Sequence, residues 1–223
     1  MAGVIKWIIN PKTYNNGGYI MEKLETINYR GYDINIYPDD CWESPREWDN
    51  LGQMICFHRN YDLGDKHDYS IEEVKEITKR NDVVCLPLYL YDHSGITMNT
   101  SGFSCQWDSG QVGIIFVDYA AIRKEYGVKN ITKKMVLKVR NILIQEVKTY
   151  DDFLNGTVYG FMTEKDGEDI DSCWGFYGYP WDYMLGEAKN GIDADIEIER
   201  KKKQAKTKAF VKHGVPLEKR CFV

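Results

Sequence analysis

TVYGFMTEKDGEDIDSCWGF, residues 157–176, is the stretch that decides the fold. Two runs rich in strand-forming residues, Thr157 to Thr163 and Asp169 to Phe176, flank Lys165-Asp166-Gly167-Glu168. Asp-Gly between such runs supplies the two positive φ angles of a two-residue turn whose twist matches paired strands. The reading is an antiparallel hairpin, so the helices in this chain do not all serve as crossovers between parallel strands.

Upstream, Thr132 to Lys148 places Met135, Val139, Ile142 and Ile144 or Leu143 at helical spacing, with Lys133, Lys134, Lys138 and Arg140 elsewhere on the cylinder. That predicts an amphipathic helix packed on a sheet. Val112 to Val117 is a fully apolar strand run leading into a helix from Tyr119 to Tyr126, closed by Gly127. Val83 to Tyr91 reads as a strand in which Pro87 cannot donate to a ladder and so belongs at an edge or bulge. Ser70-Ile71-Glu72-Glu73 is a capping box opening a helix that ends near Asn81, with Ile71, Val74 and Ile77 on one side. Gly52 to Phe57 predicts a buried strand, and Ser44-Pro45 a capped helical turn. Tyr32 to Tyr37 alternates with period two and stops at Pro38, as a half-buried strand does.

Downstream of the hairpin, Gly191 closes a short helix after Pro180, and Asp193 to Lys212 reads as a further helix supported by i, i+4 pairs. The fold class expected is α+β: a mixed or antiparallel sheet, three to four packed helices and a C-terminal basic helix. The domain division expected is an N-terminal extension over 1–30, a core over 31–191 and a basic helical tail over 192–223.

The 223 residues, 43% apolar and 13% aromatic, can bury one sizeable core or two small ones, and 8 Phe, 6 Trp and 16 Tyr argue against disorder. The opening apolar run is cut by Lys6 and ended by Asn10-Pro11, so it reads neither as a signal peptide nor as a membrane span. Six scattered cysteines with no CxxC pair read as reduced thiols of a cytoplasmic protein. The net charge is −5, yet Arg200 to Lys212 holds seven basic residues and no acid, which leaves −12 for the rest.

Chemistry-bearing side chains gather in three polar stretches between strands. His58, Asp62, Asp65, His67 and Asp68 offer a mixed nitrogen and oxygen set to a divalent metal, the one cofactor these residues suggest; capping of the Ser70 helix is the plainer use. His93-Ser94 and Asp108-Ser109 can be drawn as a triad, without the GxSxG elbow that would support it. Cys56 or Cys105 beside His58 or His93 is a candidate nucleophile, against the commoner buried structural thiol. Trp174 and Tyr177 can stack on a base, or Trp174 and Phe176 can belong to the core face of the sheet. Arg200, Lys201, Lys202, Lys203, Lys206 and Lys208 can neutralise nucleic-acid phosphates.

ESPREWDNLGQMICFHRNYDLGD (Glu43 to Asp65), YDHSGITMNTSGFSCQWDSGQVG (Tyr91 to Gly113) and DSCWGFYG (Asp171 to Gly178) together resemble a family of uncharacterised proteins of bacteriophages and other mobile elements; the strings cover about a quarter of the chain. The resemblance implies provenance, with no catalytic residues to carry over. It implies a small accessory protein in the host cytoplasm that counters host defence, as an anti-CRISPR protein does. The expected function is binding: Glu43, Arg46, Asp49, His58, Arg59, His93 and Asp108 form a recognition face for a phosphate-bearing ligand or a nucleic-acid-handling host complex. Trp174 and Tyr177 stack there, and the lysine-rich tail steers. The expected partner is therefore a host defence protein, a nucleic acid or a nucleotide, and no membrane. The alternative is a metal-dependent nuclease or nucleotide hydrolase in which His58, Asp65, His67 and His93 hold the cation and Asp49 activates water.

Overall fold

A computed structural model describes residues 14–15, 18–19, 22–105 and 107–212. Expectations for residues 1–13 and for Cys221 lie outside the described residues. In chain order the strands and helices are β1 (Tyr14–Asn15), β2 (Gly18–Tyr19), β3 (Glu25–Tyr29), β4 (Tyr32–Pro38), β5 (Gln53–Cys56), α1 (Ile71–Lys79), β6 (Val83–Asp92), β7 (Ile96–Asn99), β8 (Ser109–Asp118), α2 (Tyr119–Tyr126), α3 (Lys133–Leu154), β9 (Val158–Lys165), β10 (Glu168–Tyr177) and α4 (Asp182–Lys212). β1 and β2 form a two-residue ladder, and the other strands form two four-stranded antiparallel sheets, ordered β5-β8-β6-β7 and β10-β9-β4-β3. The fold is α+β. The chain divides into two compact units, the first built on Asp39–Val158 and the second on residues 22–38 with 159–212.

In the first unit the sheet is buried on both faces. Val84, Leu86, Leu88 and Leu90 of β6 join Ile115 and Val117 of β8 beneath α3, which presents Val139, Leu143, Val147, Tyr150 and Leu154 at spacings of three and four. On the opposite face Ile55, Ile114 and Phe116 meet Val74 and Ile77 of α1. Ile71, expected on that apolar side, is 52% exposed, because the first residue of the helix points away from the sheet. The capping box itself is complete: the Glu73 amide donates to Ser70 Oγ and the Ser70 amide to Glu73 Oε2 at 2.8 Å. Pro87 lies where β6 lacks β7 as a neighbour, two residues before a register shift at Leu88/Tyr89, so its missing donor interrupts no β7 ladder. Helix α3 runs to Leu154, beyond the expected Lys148. Ile142 is half-buried off its core stripe, one helical step from Leu143.

The second unit is a meander of two hairpins under one long helix. Asp166 and Gly167 both take positive φ, 53° and 83°, in the turn read from the sequence. Arg30 and Gly31 repeat that geometry, 54° and 83°, between β3 and β4, so part of the expected N-terminal extension is a strand paired to β4. Ile34, Ile36 and Phe161 pack against Met184, Ala188 and Ile192 of α4. This helix is continuous from Asp182 through Gly191 to Lys212; Gly191 does not close it, and the expected boundary at 191/192 falls inside it. The apolar stripe of Met184, Ala188 and Ile192 at intervals of four carries the helix across Gly186 and Gly191, since burial outweighs about 1 kcal/mol of glycine propensity at each.

Gly113 shows how tightly the first sheet is registered. It is buried between Cys56 of β5 and Leu88 of β6, and a Cβ there would lie 1.9 Å from the Ile55 carbonyl oxygen. Gly110, on the same strand, faces open space. We expect Gly113→Ala to lower unfolding free energy by at least about 2 kcal/mol, and Gly110→Ala to change it by less than about 0.5 kcal/mol. Denaturant titration of the two variants checks this; equal effects would contradict the packing described.

Candidate functional site

Ser44 caps a 3-10 turn over Pro45–Glu47, its Oγ accepting the Arg46 amide at 3.3 Å. This turn directs Arg46 inward, where its side chain is 5% exposed. The guanidinium donates to both oxygens of Asp65 (2.7 and 2.9 Å), to Glu146 Oε2 of α3 (3.2 Å) and to the Gly52 carbonyl (2.7 Å). The acceptors are shared with the backbone: Asp65 receives the Met54 amide, and Glu146 those of Leu51 and Gly52. Burial works against the Arg46 charge, but the hydrogen bonds and charges of Asp65 and then Glu146 outweigh it and leave the pKa raised. Arg46, expected on a recognition face, is thus an internal tie. Asp65, expected to hold a metal, is its counter-ion.

Among the described residues, His58 and His67 follow β5 and His93 follows β6. His67 donates from Nε2 to the Cys56 carbonyl at 3.1 Å, and its buried Nδ1 has no partner among the described residues. His58 Nδ1 accepts the amides of Asn60 and Tyr61, both at 3.2 Å, while its ring stacks on Tyr61 at 4.9 Å. Tyr61 in turn donates to Asp92 at 3.3 Å. His93 sits in the β6–β7 turn with Nδ1 3.6 Å from Asp108 Oδ2, the same oxygen that Cys105 Sγ approaches at 3.6 Å. Tyr61 and Asp92 link His58 to the strand end that precedes His93, but no recorded contact brings His67 to either, and among the described residues no three His, Cys, Asp or Glu side chains are arranged to hold a metal ion. The set His58, Asp65, His67 and His93 is taken up instead by turns, a carbonyl and Arg46.

Among the described residues neither serine of the drawn triad hydrogen-bonds His93. Ser109 Oγ donates to the Cys105 carbonyl, and Ser94 occupies the left-handed corner of the β6–β7 turn. Burial pushes the Cys56 thiol up to about 12, which keeps it protonated and unreactive at neutral pH. Glu43, Asp49 and Arg59 stand exposed on the connecting loops.

In the second unit Trp174 and Phe176 part company. Phe176 lies 5.8 Å from Phe161 on the helix side, whereas Trp174 covers Gly160 and lies 6.2 Å from Tyr37 on the other side. The two would share a face in a regular strand. Gly175 between them has φ +80°, which breaks the alternation. Trp174 and Tyr177 are both half-buried.

The basic end of α4 is the most open charged element of this unit. Asp195 accepts from Tyr32 at 2.7 Å and Lys165 lies 3.4 Å from Glu199, tying the helix to its sheet. From Arg200 to Lys208 every side chain is exposed. Arg200 and Lys201 pair with Glu197 at 2.8 and 3.6 Å, while Lys202, Lys203, Lys206 and Lys208 make no ion pair among the described residues. No known protein family, curated protein or solved structure matches the chain.

Replacing Arg46 by Ala strands two inward-facing carboxylates. We expect Arg46→Ala to cost about 3–5 kcal/mol of stability, against less than about 0.5 kcal/mol for Arg59→Ala on the open loop. Chemical denaturation of both proteins measures the difference, and comparable losses would contradict the assignment of Arg46 as a tie.

Proposed function

We propose that this protein acts by binding nucleic acid, as an accessory protein of a bacteriophage or mobile element that interferes with a nucleic-acid-handling defence complex of the host. The observation that carries the binding is the far end of α4, where four lysines project without counter-ions among the described residues. Lys202, Lys203 and Lys206 fall within about 100° of the helix circumference, so one side can meet successive phosphates. The body of the protein is acidic, so such a cationic element would attract a polyanion against the mean field of the molecule rather than with it. The provenance rests on the three strings around Glu43 to Asp65, Tyr91 to Gly113 and Asp171 to Gly178. It supplies the setting in which a small binding protein would block a host complex.

The test is fluorescence polarisation of labelled oligonucleotides over a range of salt concentration. The affinity of the full chain should fall steeply with salt. Lys202→Ala/Lys203→Ala/Lys206→Ala should lower the slope of log K against log salt by roughly 2, about 0.7 for each phosphate contact on a single strand. An unchanged slope would remove the helix from the account.

A further inference from the structure

The first unit carries a second cationic surface, hidden in the overall charge. Residues 119–149 hold eight Lys and Arg against two acids, Glu125 and Glu146, a net of +6 in a chain whose total is −5. Glu146 cannot offset its neighbours, because it is turned inward onto Arg46. Lys124, Lys129, Lys133, Lys134, Lys138 and Arg140 are all exposed and make no ion pair among the described residues. Along α3, Lys134, Lys138, Asn141 and Gln145 succeed one another at spacings of three and four, a single helical face about 16 Å long.

Beside that face lies a groove of about 420 Å³ between α3 and the turn that Arg46 anchors. Its apolar walls are Pro45, Ile142 and the indole of Trp48, which is 48% exposed. Its polar groups include the carboxamides of Asn141 and Gln145, each carrying donors and an acceptor, and the Glu146 carboxylate; Lys138 also lines it, with its Nζ 4.4 Å from the centroid of the Tyr126 ring. The exposed Trp48 indole, carboxamides one turn apart and the lysines of the same helical face match the three parts of an unpaired nucleotide: ring face, base edge and phosphate. A duplex would present phosphates to the lysines but no free base to the groove.

We propose that the α2–α3 face is a second nucleic-acid site, specific for single strands, in which one unstacked base enters the Trp48 groove while Lys134 and Lys138 contact the flanking phosphates. The class of ligand rests on the nucleic-acid reading of α4; the site does not. The experiment uses the full chain and labelled dT12, with a 12-base-pair duplex for comparison. Lys134→Ala/Lys138→Ala should weaken dT12 binding about tenfold and reduce the salt slope by roughly 1.4. Asn141→Ala/Gln145→Ala should weaken it severalfold with the slope unchanged, and should leave duplex binding unaffected. These side chains are on the surface, and an unaltered melting temperature confirms that the variants are folded. If both α3 variants bind dT12 as the parent does while the α4 triple variant does not, the groove site is overturned and the α4 reading stands. If only the α3 variants lose binding, the groove site stands and the α4 reading falls. Absence of binding by the parent chain, or duplex bound more tightly than dT12, overturns the single-strand site.

Discussion

The buried guanidinium of Arg46 is the constraint from which the geometry of the first unit follows. Removing a charge from water is costly unless it is paired and hydrogen-bonded, and here two carboxylates and a carbonyl receive it. The carboxylates then hold the amides of Leu51, Gly52 and Met54, so one ionic cluster fixes the loop before β5, the start of β5 and the middle of α3. Pro45 and Trp48 flank Arg46, and their place above α3 is set by the same cluster. The groove beside α3 is therefore a consequence of an internal salt bridge, and its floor includes one of that bridge's carboxylates.

Charge is segregated along this chain rather than spread over it. Residues 119–149 and the far end of α4 are each strongly basic, and all but two of the 34 acids, Glu125 and Glu146, lie outside these stretches. The two basic elements also differ in construction. On α3 the lysines ride on a helix clamped to a sheet by five buried side chains, whereas on α4 they follow the last side chains that touch the sheet. A rigid face with a groove suits recognition of a base, and an open helical end suits phosphate attraction without readout. That division of labour is part of the proposal.

The sequence was legible where one local signal dominated. Asp166-Gly167, the Ser70 capping box and the left-handed Gly127 each carry their own geometry, and the strands around Val84 and Ile115 announce themselves by burial. It was opaque where a distant partner decides. The β3–β4 turn uses Arg30 in a conformation that favours Asn, Asp or Gly, so pairing to β4 rather than turn propensity fixes it. Trp174 leaves the face of Phe176 because of one backbone angle at Gly175. Arg46 looked like a surface recognition residue, because nothing near it in sequence reveals Asp65 and Glu146 as partners. The basic run at Arg123 to Lys148 is hidden in the −12 carried by the chain outside Arg200 to Lys212, because acids elsewhere in the sequence outweigh it.

The most direct measurement of the central claim is lysine footprinting by mass spectrometry, with the amines of the full chain methylated in the absence and presence of saturating dT12. The account predicts protection at Lys134 and Lys138 and at Lys202, Lys203 and Lys206, with Lys75 and Lys79 of α1 labelled equally in both states. Uniform labelling with and without dT12, or protection confined to α1, would contradict it.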